Sequence, residues 1–524
     1  MAAAMPGPDR LMPDRKKVSI TPYIEASQIM TAELSPVHDT LTYTTLAAGA
    51  ELSVQGRYSQ AAASLRYERR IGYGRVADGD AISGIARVSA AVVPHTLSIE
   101  AGALATRTQI ESNGSTVIGT PLGSRSSTQL YSAYAGPTLT THAGDVAING
   151  AYRLGYTHVG TDNGIVTAPG GPAVDVFDHS TVHDAQLHAG VRPGTVLPVG
   201  VGVGAGYYQE NISNLDQKVR DFNARADVTY PVSRDLALVA GVGYESVQIS
   251  SRDALRDGSG NPVIAANGRY VTYTTGPRKI AYDTSGLIWD AGVMWRPSRR
   301  TALEAHVGRR YGSTSYYGSF AYAPNARSSL NVSVYDNISG FGGQINRALA
   351  GLPTQFEAAR NPLTGDIGGC LVSLEKGSCL TGALGSVRSA TFRARGIMAS
   401  YGVDLGHLQV GVGAGYDRRK FIAAANTVLA SANGLTDENY WLSAYLNGRI
   451  DAHSSFTTDV YAKWFNSGFA AAADNTAVGA TAAYYRSIGE HLSASAALGI
   501  EGVNRQALDD IWTASAQLGV RYSF

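Results

Sequence analysis

Trp512-Thr-Ala-Ser-Ala-Gln-Leu-Gly-Val-Arg-Tyr-Ser-Phe524 closes the chain. Every second residue, Trp512, Ala514, Ala516, Leu518, Val520, Tyr522 and Phe524, is apolar. The residues between them, Thr513, Ser515, Gln517, Gly519, Arg521 and Ser523, are polar or small. Successive side chains of a β-strand point to opposite faces, so a period of two reads as a strand with one apolar and one polar face. The same alternation sets Leu408, Val410, Val412, Ala414 and Tyr416 against Gln409, Gly411, Gly413, Gly415 and Asp417. It also sets Leu287, Trp289, Ala291, Val293 and Trp295 against Ile288, Asp290, Gly292, Met294 and Arg296, and Tyr440, Leu442, Ala444 and Leu446 against Ser443, Tyr445, Asn447 and Arg449.

Two features separate a membrane barrel from a soluble sandwich. The alternating segments run to about 11–15 residues, longer than ordinary globular strands but suited to a tilted bilayer crossing. The connections are expected to alternate strictly in length. Short turns fall at 55–59, 94–96, 142–145, 192–196, 232–235, 297–300, 324–327, 404–407, 451–454 and 486–491, with mostly longer polar stretches between them, such as 111–125, 160–180, 251–281 and 337–388. Short turns on one side and long loops on the other mark an outer-membrane barrel, here of about 22 antiparallel up-and-down strands. An even count places both termini in the periplasm.

The bulk composition agrees. A soluble chain of 524 residues would normally divide into domains, yet its texture is uniform from Lys17 to Phe524, with 16% charged residues and a net charge of +1. That near-neutral balance excludes a nucleic-acid partner. No apolar run approaches the ~20 residues of a membrane helix. Residues 1–16 lack a signal-peptide core and are expected to be a disordered N-terminal segment, the signal being absent or removed. Residues 17–524 form the barrel.

A barrel this wide encloses water or a plug rather than a packed core. The expected lumen-lining charges are Arg66, Glu68, Arg70, Arg153, Arg225, Asp227, Asp290, Arg296, Glu304, Arg393, Arg395, Arg449 and Arg521. With both signs present and arginine in excess, they suit either a polyanionic cargo or an ion-pair network that stiffens the wall. Tyr73, Tyr156, Tyr244, Trp295 and Tyr416 near strand ends read as interfacial girdles or as stacking platforms for sugars. Within the 337–388 loop, Phe341, Ile345, Ala348, Leu349 and Leu352 follow a helical period that Pro353 ends. That helix either folds into the lumen as a constriction or lies over its mouth. Cys370 and Cys379, the only cysteines, sit in the same loop and are expected to form a disulfide.

Other motifs carry no chemistry. Gly200-Val-Gly-Val-Gly-Ala-Gly206 lies within a strand, not before a helix, so it is no phosphate loop. His179, His183, His188 and Asp184 invite a metal or catalytic reading, but His183 and His188 face opposite sides of one strand. No catalytic residue, metal ligand or cofactor is expected, and the chain is not read as an enzyme.

Ser19-Ile-Thr-Pro-Tyr-Ile-Glu-Ala-Ser, Ser64-Leu-Arg-Tyr-Glu-Arg-Arg-Ile, and Phe341-Gly-Gly-Gln-Ile-Asn-Arg-Ala-Leu with Leu352-Pro-Thr resemble the outer-membrane β-barrel porins associated with exopolysaccharide and exosortase (PEP-CTERM) loci of sphingomonad-type bacteria. The terminal Phe524 is similar to the signature read by the barrel-assembly machinery. The resemblance implies an outer-membrane conduit for polysaccharide, with membrane lipid, lipopolysaccharide, the assembly machinery and periplasmic polysaccharide-export components as partners. Its motifs are structural, so no functional residue is carried over. A diffusion porin and a surface-binding barrel are the alternatives. An energised receptor is expected to need a plug ahead of its barrel, for which there is no room before Val18 unless the 337–388 loop serves as one.

Overall fold

The computed structural model describes residues 17–524 apart from 37, 112–113, 119–127, 161–164, 167–172, 175, 357–359, 368–369, 372–377, 381, 470–473 and 507–508. The expected N-terminal segment 1–16 therefore lies outside the described residues. Twenty-two antiparallel strands form one closed wall. They are β1 (Lys17–Ser35), β2 (Asp39–Gln55), β3 (Ser59–Gly72), β4 (Gly79–Val93), β5 (Leu97–Ile110), β6 (Thr128–Ala143), β7 (Val146–Gly160) and β8 (His179–Val191). Next come β9 (Gly200–Ile212), β10 (Gln217–Pro231), β11 (Leu236–Ser251), β12 (Lys279–Ser298), β13 (Thr301–Arg310), β14 (Ser313–Asn325) and β15 (Ser328–Ser339). The last are β16 (Phe392–Asp404), β17 (Leu408–Phe421), β18 (Thr436–Arg449), β19 (Ser454–Asn466), β20 (Asn475–Ser487), β21 (Leu492–Arg505) and β22 (Ile511–Ser523). Each pairs with the next, and β1 closes the ring on β22 in the register Tyr23↔Ser523 to Thr31↔Ser515.

The alternation quoted above is what allows closure. On β22, Trp512, Leu518, Val520 and Tyr522 are exposed outward, while Thr513, Ser515 and Gln517 are buried inside. Outward aromatics form two rings. Tyr67, Tyr131, Tyr156, Tyr244, Tyr440, Trp464 and Trp512 lie towards one end, and Tyr230, Trp295, Tyr322, Tyr401, Tyr484 and Tyr522 towards the other. Along β22 the rings stand ten residues apart, roughly 25 Å once strand tilt is included. That is the height of a membrane-spanning apolar belt. Of the expected girdle, Tyr73, Tyr156, Tyr244 and Trp295 are exposed, whereas Tyr416 is half-buried against Tyr440 and Glu438.

All the short turns read from the sequence fall at one end, together with Lys17 and Phe524. The other end is less regular than expected: alternation is not strict, because 213–216 and 311–312 are also tight. Tyr311 (φ 55°) and Gly312 (φ 66°) both take left-handed backbone between β13 and β14, the conformation that matches a two-residue hairpin to strand twist. This low hairpin leaves the wall notched. β14 pairs with β15 only from Gly318↔Val334 downward.

Arg393 and Arg395 correct the lumen-lining set at that notch. They share a face with Ile397 and Tyr401, which are exposed outward, so both arginines point out of the barrel. They reach over the hairpin to Ser313, the Thr314 carbonyl and Asp336. Charge suggested water inside; the register shows that a charged pair above the apolar belt serves the rim instead.

Candidate functional site

With strands about 4.8 Å apart and tilted about 40°, a ring of this strand number is roughly 45 Å across, backbone to backbone. Among the described residues, those of the connection between β15 and β16 (within 340–391) occupy that space. It turns inward and is tied to the inner wall on many sides. The lid alternative for its helix is thereby set aside.

The helix α1 (Phe341–Gly351) leads the insert. Phe341, Ile345, Leu349 and Leu352 are all buried, forming one apolar cluster with Ile85, Leu104, Leu130, Tyr134 and Val159 of the wall. Gly342 and Gly343 let the helix sit flush. A Cβ on Gly342 would lie 2.0 Å from Ser180 Oγ, and one on Gly343 would lie 1.9 Å from the Tyr208 hydroxyl. The helix N-cap is Gly340, which brings no capping side chain. The wall supplies one: Glu210 Oε2 accepts from the Gly340 N–H (2.6 Å) and Oε1 from the Gly343 N–H (2.9 Å). Ser180 Oγ (3.0 Å) and the Tyr208 hydroxyl (2.7 Å) donate to the same carboxylate, which is fully buried. A carboxylate at a helix N-terminus meets free N–H groups and the positive end of the helix dipole together. Asn346 Nδ2 donates to Thr157 Oγ1 (2.8 Å) and Gln344 Nε2 to Asp417 Oδ2 (3.0 Å). The Arg347 guanidinium lies 4.1 Å over the Tyr208 ring.

Beyond the helix, the insert crosses to β2–β5. Gln355 Nε2 donates to the Val54 carbonyl at 3.0 Å. Arg360 donates to Ser64 Oγ (2.7 Å) and Ser83 Oγ (2.8 Å). Asp366 accepts from Arg107 Nε through both oxygens, each at 3.0 Å. Burial pushes the Asp366 carboxyl above its ordinary range, and Arg107 beside it opposes the shift. Leu363 reaches Ala483 and Ala497 on the inner face of β20 and β21. The chain then returns past β17 and β19. Arg419 donates to the carbonyls of Ser386 (2.8 Å) and Gly382 (2.9 Å), and Lys463 Nζ to that of Gly385 (3.1 Å). Gln217 Nε2 donates to the Ser389 carbonyl at 2.9 Å.

Arg66 and Glu68, expected in the lumen, form part of this anchoring: Arg66 pairs with Glu25 (3.0 Å) and Glu68 (3.2 Å), and Glu68 with Arg107 (3.3 Å). Arg225, Asp227, Asp290 and Glu304 meet in a second network. Arg225 grips Asp290 at 2.6 and 2.8 Å, His306 Nδ1 lies 2.9 Å from Asp290, and His188 Nε2 lies 3.0 Å from Asp227. Glu304 joins through His306 at 3.3 Å. For these residues the ion-pair reading describes the geometry. Gly202 and Gly204 make room for this network, since a Cβ on Gly202 would lie 2.6 Å from His188 Nε2 and one on Gly204 3.3 Å from its Cδ2. Arg70 donates to the Ala77 carbonyl, and Arg521 covers the Tyr23 ring at 3.5 Å. Arg153 lines the same inward face as Thr157, and Arg296 and Arg449 are exposed at the short-turn end.

Glu210, Arg107, Arg360, Asp366, Arg419 and Lys463 were not singled out from sequence. Their partners are carbonyls and side chains far along the chain, and no local pattern announces them. The cysteines' side chains lie outside the described residues. The backbone sets Cys370 opposite Cys379 in a two-residue ladder.

No family model and no curated protein matches this chain. Solved structures with a likeness include the FrpB iron transporter from Neisseria meningitidis, at 10% identity and TM-score 0.42, over 96% of this chain and 81% of that one. The alcaligin outer-membrane receptor FauA from Bordetella pertussis aligns at 11% identity and TM-score 0.39, over 96% and 76%. The ferric-catecholate import receptor Fiu from E. coli K12 aligns at 11% identity and TM-score 0.43, over 96% and 81%.

Proposed function

We propose that this chain is an outer-membrane channel for large polar solutes, held closed by residues 340–391. The observation that carries the reading is the position of the insert. It lies inside the lumen and is bonded to the wall from β2 round to β19. These are neutral and charge-assisted hydrogen bonds, each worth on the order of 0.5–3 kcal/mol net. Release of part of the insert therefore calls for cargo or a partner that favours the released state by several kcal/mol. Exopolysaccharide, the cargo implied by the sequence resemblance, is the first to test. Export components would meet the short-turn end and the assembly machinery would read Phe524, which stays exposed beside Tyr522. A Cys370–Cys379 disulfide would staple the tip of the insert.

Ser339 and Phe392 are direct register partners across β15 and β16. An Asn-Gly turn can thus replace 340–391 without moving the wall. In planar bilayers the intact protein should be nearly silent and the shortened one should conduct strongly and steadily. Large steady conductance from the intact protein would favour the diffusion porin, and silence from both would favour a surface-binding role.

A further inference from the structure

The histidine cluster set aside in the sequence splits as expected: His183 bonds the Tyr152 hydroxyl on the outer face, and His188 turns inward to Asp227. A different grouping takes its place. The register of β7 and β8 sets His158 directly opposite His179, on the face that carries Tyr156. Asp178, the residue before β8, leans over both rings. Its Oδ1 lies 3.6 Å from His158 Nδ1 and its Oδ2 3.1 Å from His179 Nδ1. One ligand atom from each of the three lies within 4.8 Å of the other two. All three side chains keep a quarter to a half of their surface open to solvent, so an ion has access.

We propose that His158, Asp178 and His179 bind one divalent first-row transition-metal ion at the outer rim of the barrel. Metal–ligand bonds of about 2.0–2.1 Å in tetrahedral geometry place ligand atoms about 3.3 Å apart. The two Asp178 oxygens stand 3.6 and 3.1 Å from the imidazoles, and the three ligand atoms, within 4.8 Å of one another, need only small side-chain rotations to close on an ion. Two imidazoles and one carboxylate select borderline metals such as Zn²⁺ or Ni²⁺ over Ca²⁺ and Mg²⁺, which prefer all-oxygen sites. The carboxylate is held in place from behind. Ser213 Oγ donates to Asp178 Oδ2 (3.3 Å), and the Asp178 N–H donates to Asn214 Oδ1 (2.8 Å). Such outer partners orient ligands in metal sites. Arg269 stands 3.7 Å from Asp178 Oδ1, but its guanidinium also donates to the Val159 carbonyl (3.0 Å), so the carboxylate is not its sole partner.

The site adjoins the closure. Phe177, next to Asp178, donates its N–H to the Val387 carbonyl (2.9 Å) and packs edge-on against Phe341 with ring centroids 5.2 Å apart. An ion that fixes Asp178 thereby braces the segment on which the insert rests.

Calorimetric titration of the folded, detergent-solubilised full chain with ZnCl₂ tests the proposal, with Ca²⁺ and Mg²⁺ as competitors. One Zn²⁺ per barrel is expected, undisplaced by millimolar Ca²⁺ or Mg²⁺, and weakened at least tenfold by H158A, H179A or D178N. His183→Ala, on the same outer face, should leave binding unchanged, and heat-modifiable migration on gels verifies that every variant is folded. Zn²⁺ uptake that H158A and H179A leave intact, or that Ca²⁺ displaces, would overturn the site, as would no uptake at all.

Discussion

Glu210→Gln tests the closure at the point where it depends most on one side chain. The substitution preserves shape but removes the charge and turns one acceptor oxygen into a donor. Glu210 accepts from the Gly340 and Gly343 N–H groups, Ser180 and Tyr208, at 2.6 to 3.0 Å. The amide keeps the partners of one oxygen; on the other side its N–H stands against a backbone N–H, and the hydroxyl there loses its bond to a charged acceptor and must turn to accept instead. Hydrogen bonds to a charged group are worth about 1.5–3 kcal/mol each, so losing two costs roughly 3–6 kcal/mol. The wall has little reason to yield, because β9 keeps its full ladders to β8 and β10. The loss should therefore appear as release of α1. A tenfold change per ~1.4 kcal/mol makes the open population rise by more than a hundredfold. Two readouts check this: single-channel open probability, and amide exchange of residues 341–351 by mass spectrometry. Both should rise together while heat-modifiable migration stays that of a folded barrel. Unchanged exchange across 341–351, with open probability within threefold of wild type, would refute the argument that this carboxylate holds the helix down.

Arg107→Ala and Asp366→Asn should each loosen residues 360–367, and in the double variant their effects should be less than additive, since the bidentate pair is lost once; strict additivity in exchange free energies would show that the two act independently. Gly343→Ala puts a methyl group against the Tyr208 hydroxyl and should destabilise the seated helix by about 1–3 kcal/mol, read as faster exchange without loss of the barrel. Leu498→Arg, on the outer face of β21 between the aromatic rings, should lower barrel stability in lipid by about 2–4 kcal/mol on urea titration. The neighbouring inward Ala497, which meets Leu363, should tolerate Ser with little change.

The strand number, the short-turn end and most inward positions were readable in the chain because each depends on neighbours one or two residues apart. A strand shows its two faces in its own sequence, and Trp512–Phe524 shows them clearly. The same local rule misplaced Arg393 and Arg395. Their charge suggested the lumen, while the notch above Tyr311-Gly312 gives charged side chains a place on the rim. Amphipathic spacing likewise marked Phe341, Ile345, Leu349 and Leu352 as one face of a helix, but it could not choose between lumen and mouth. That choice rests on Glu210, 130 positions before Gly340, on Arg419 and Lys463, which reach backbone carbonyls of the insert, and on Arg107, which grips the Asp366 carboxylate 259 positions away; no local pattern marks any of these pairings. His158 and His179 stand 21 positions apart and meet only because β7 and β8 pair in one register.

By itself, then, the sequence determined the wall: its period, its turns and its apolar belt, each set by interactions local along the strand. Only the tertiary structure decided what fills it. Closing the ring brings distant strands around one lumen, and the polar groups on its inner face must find partners wherever the returning chain offers them.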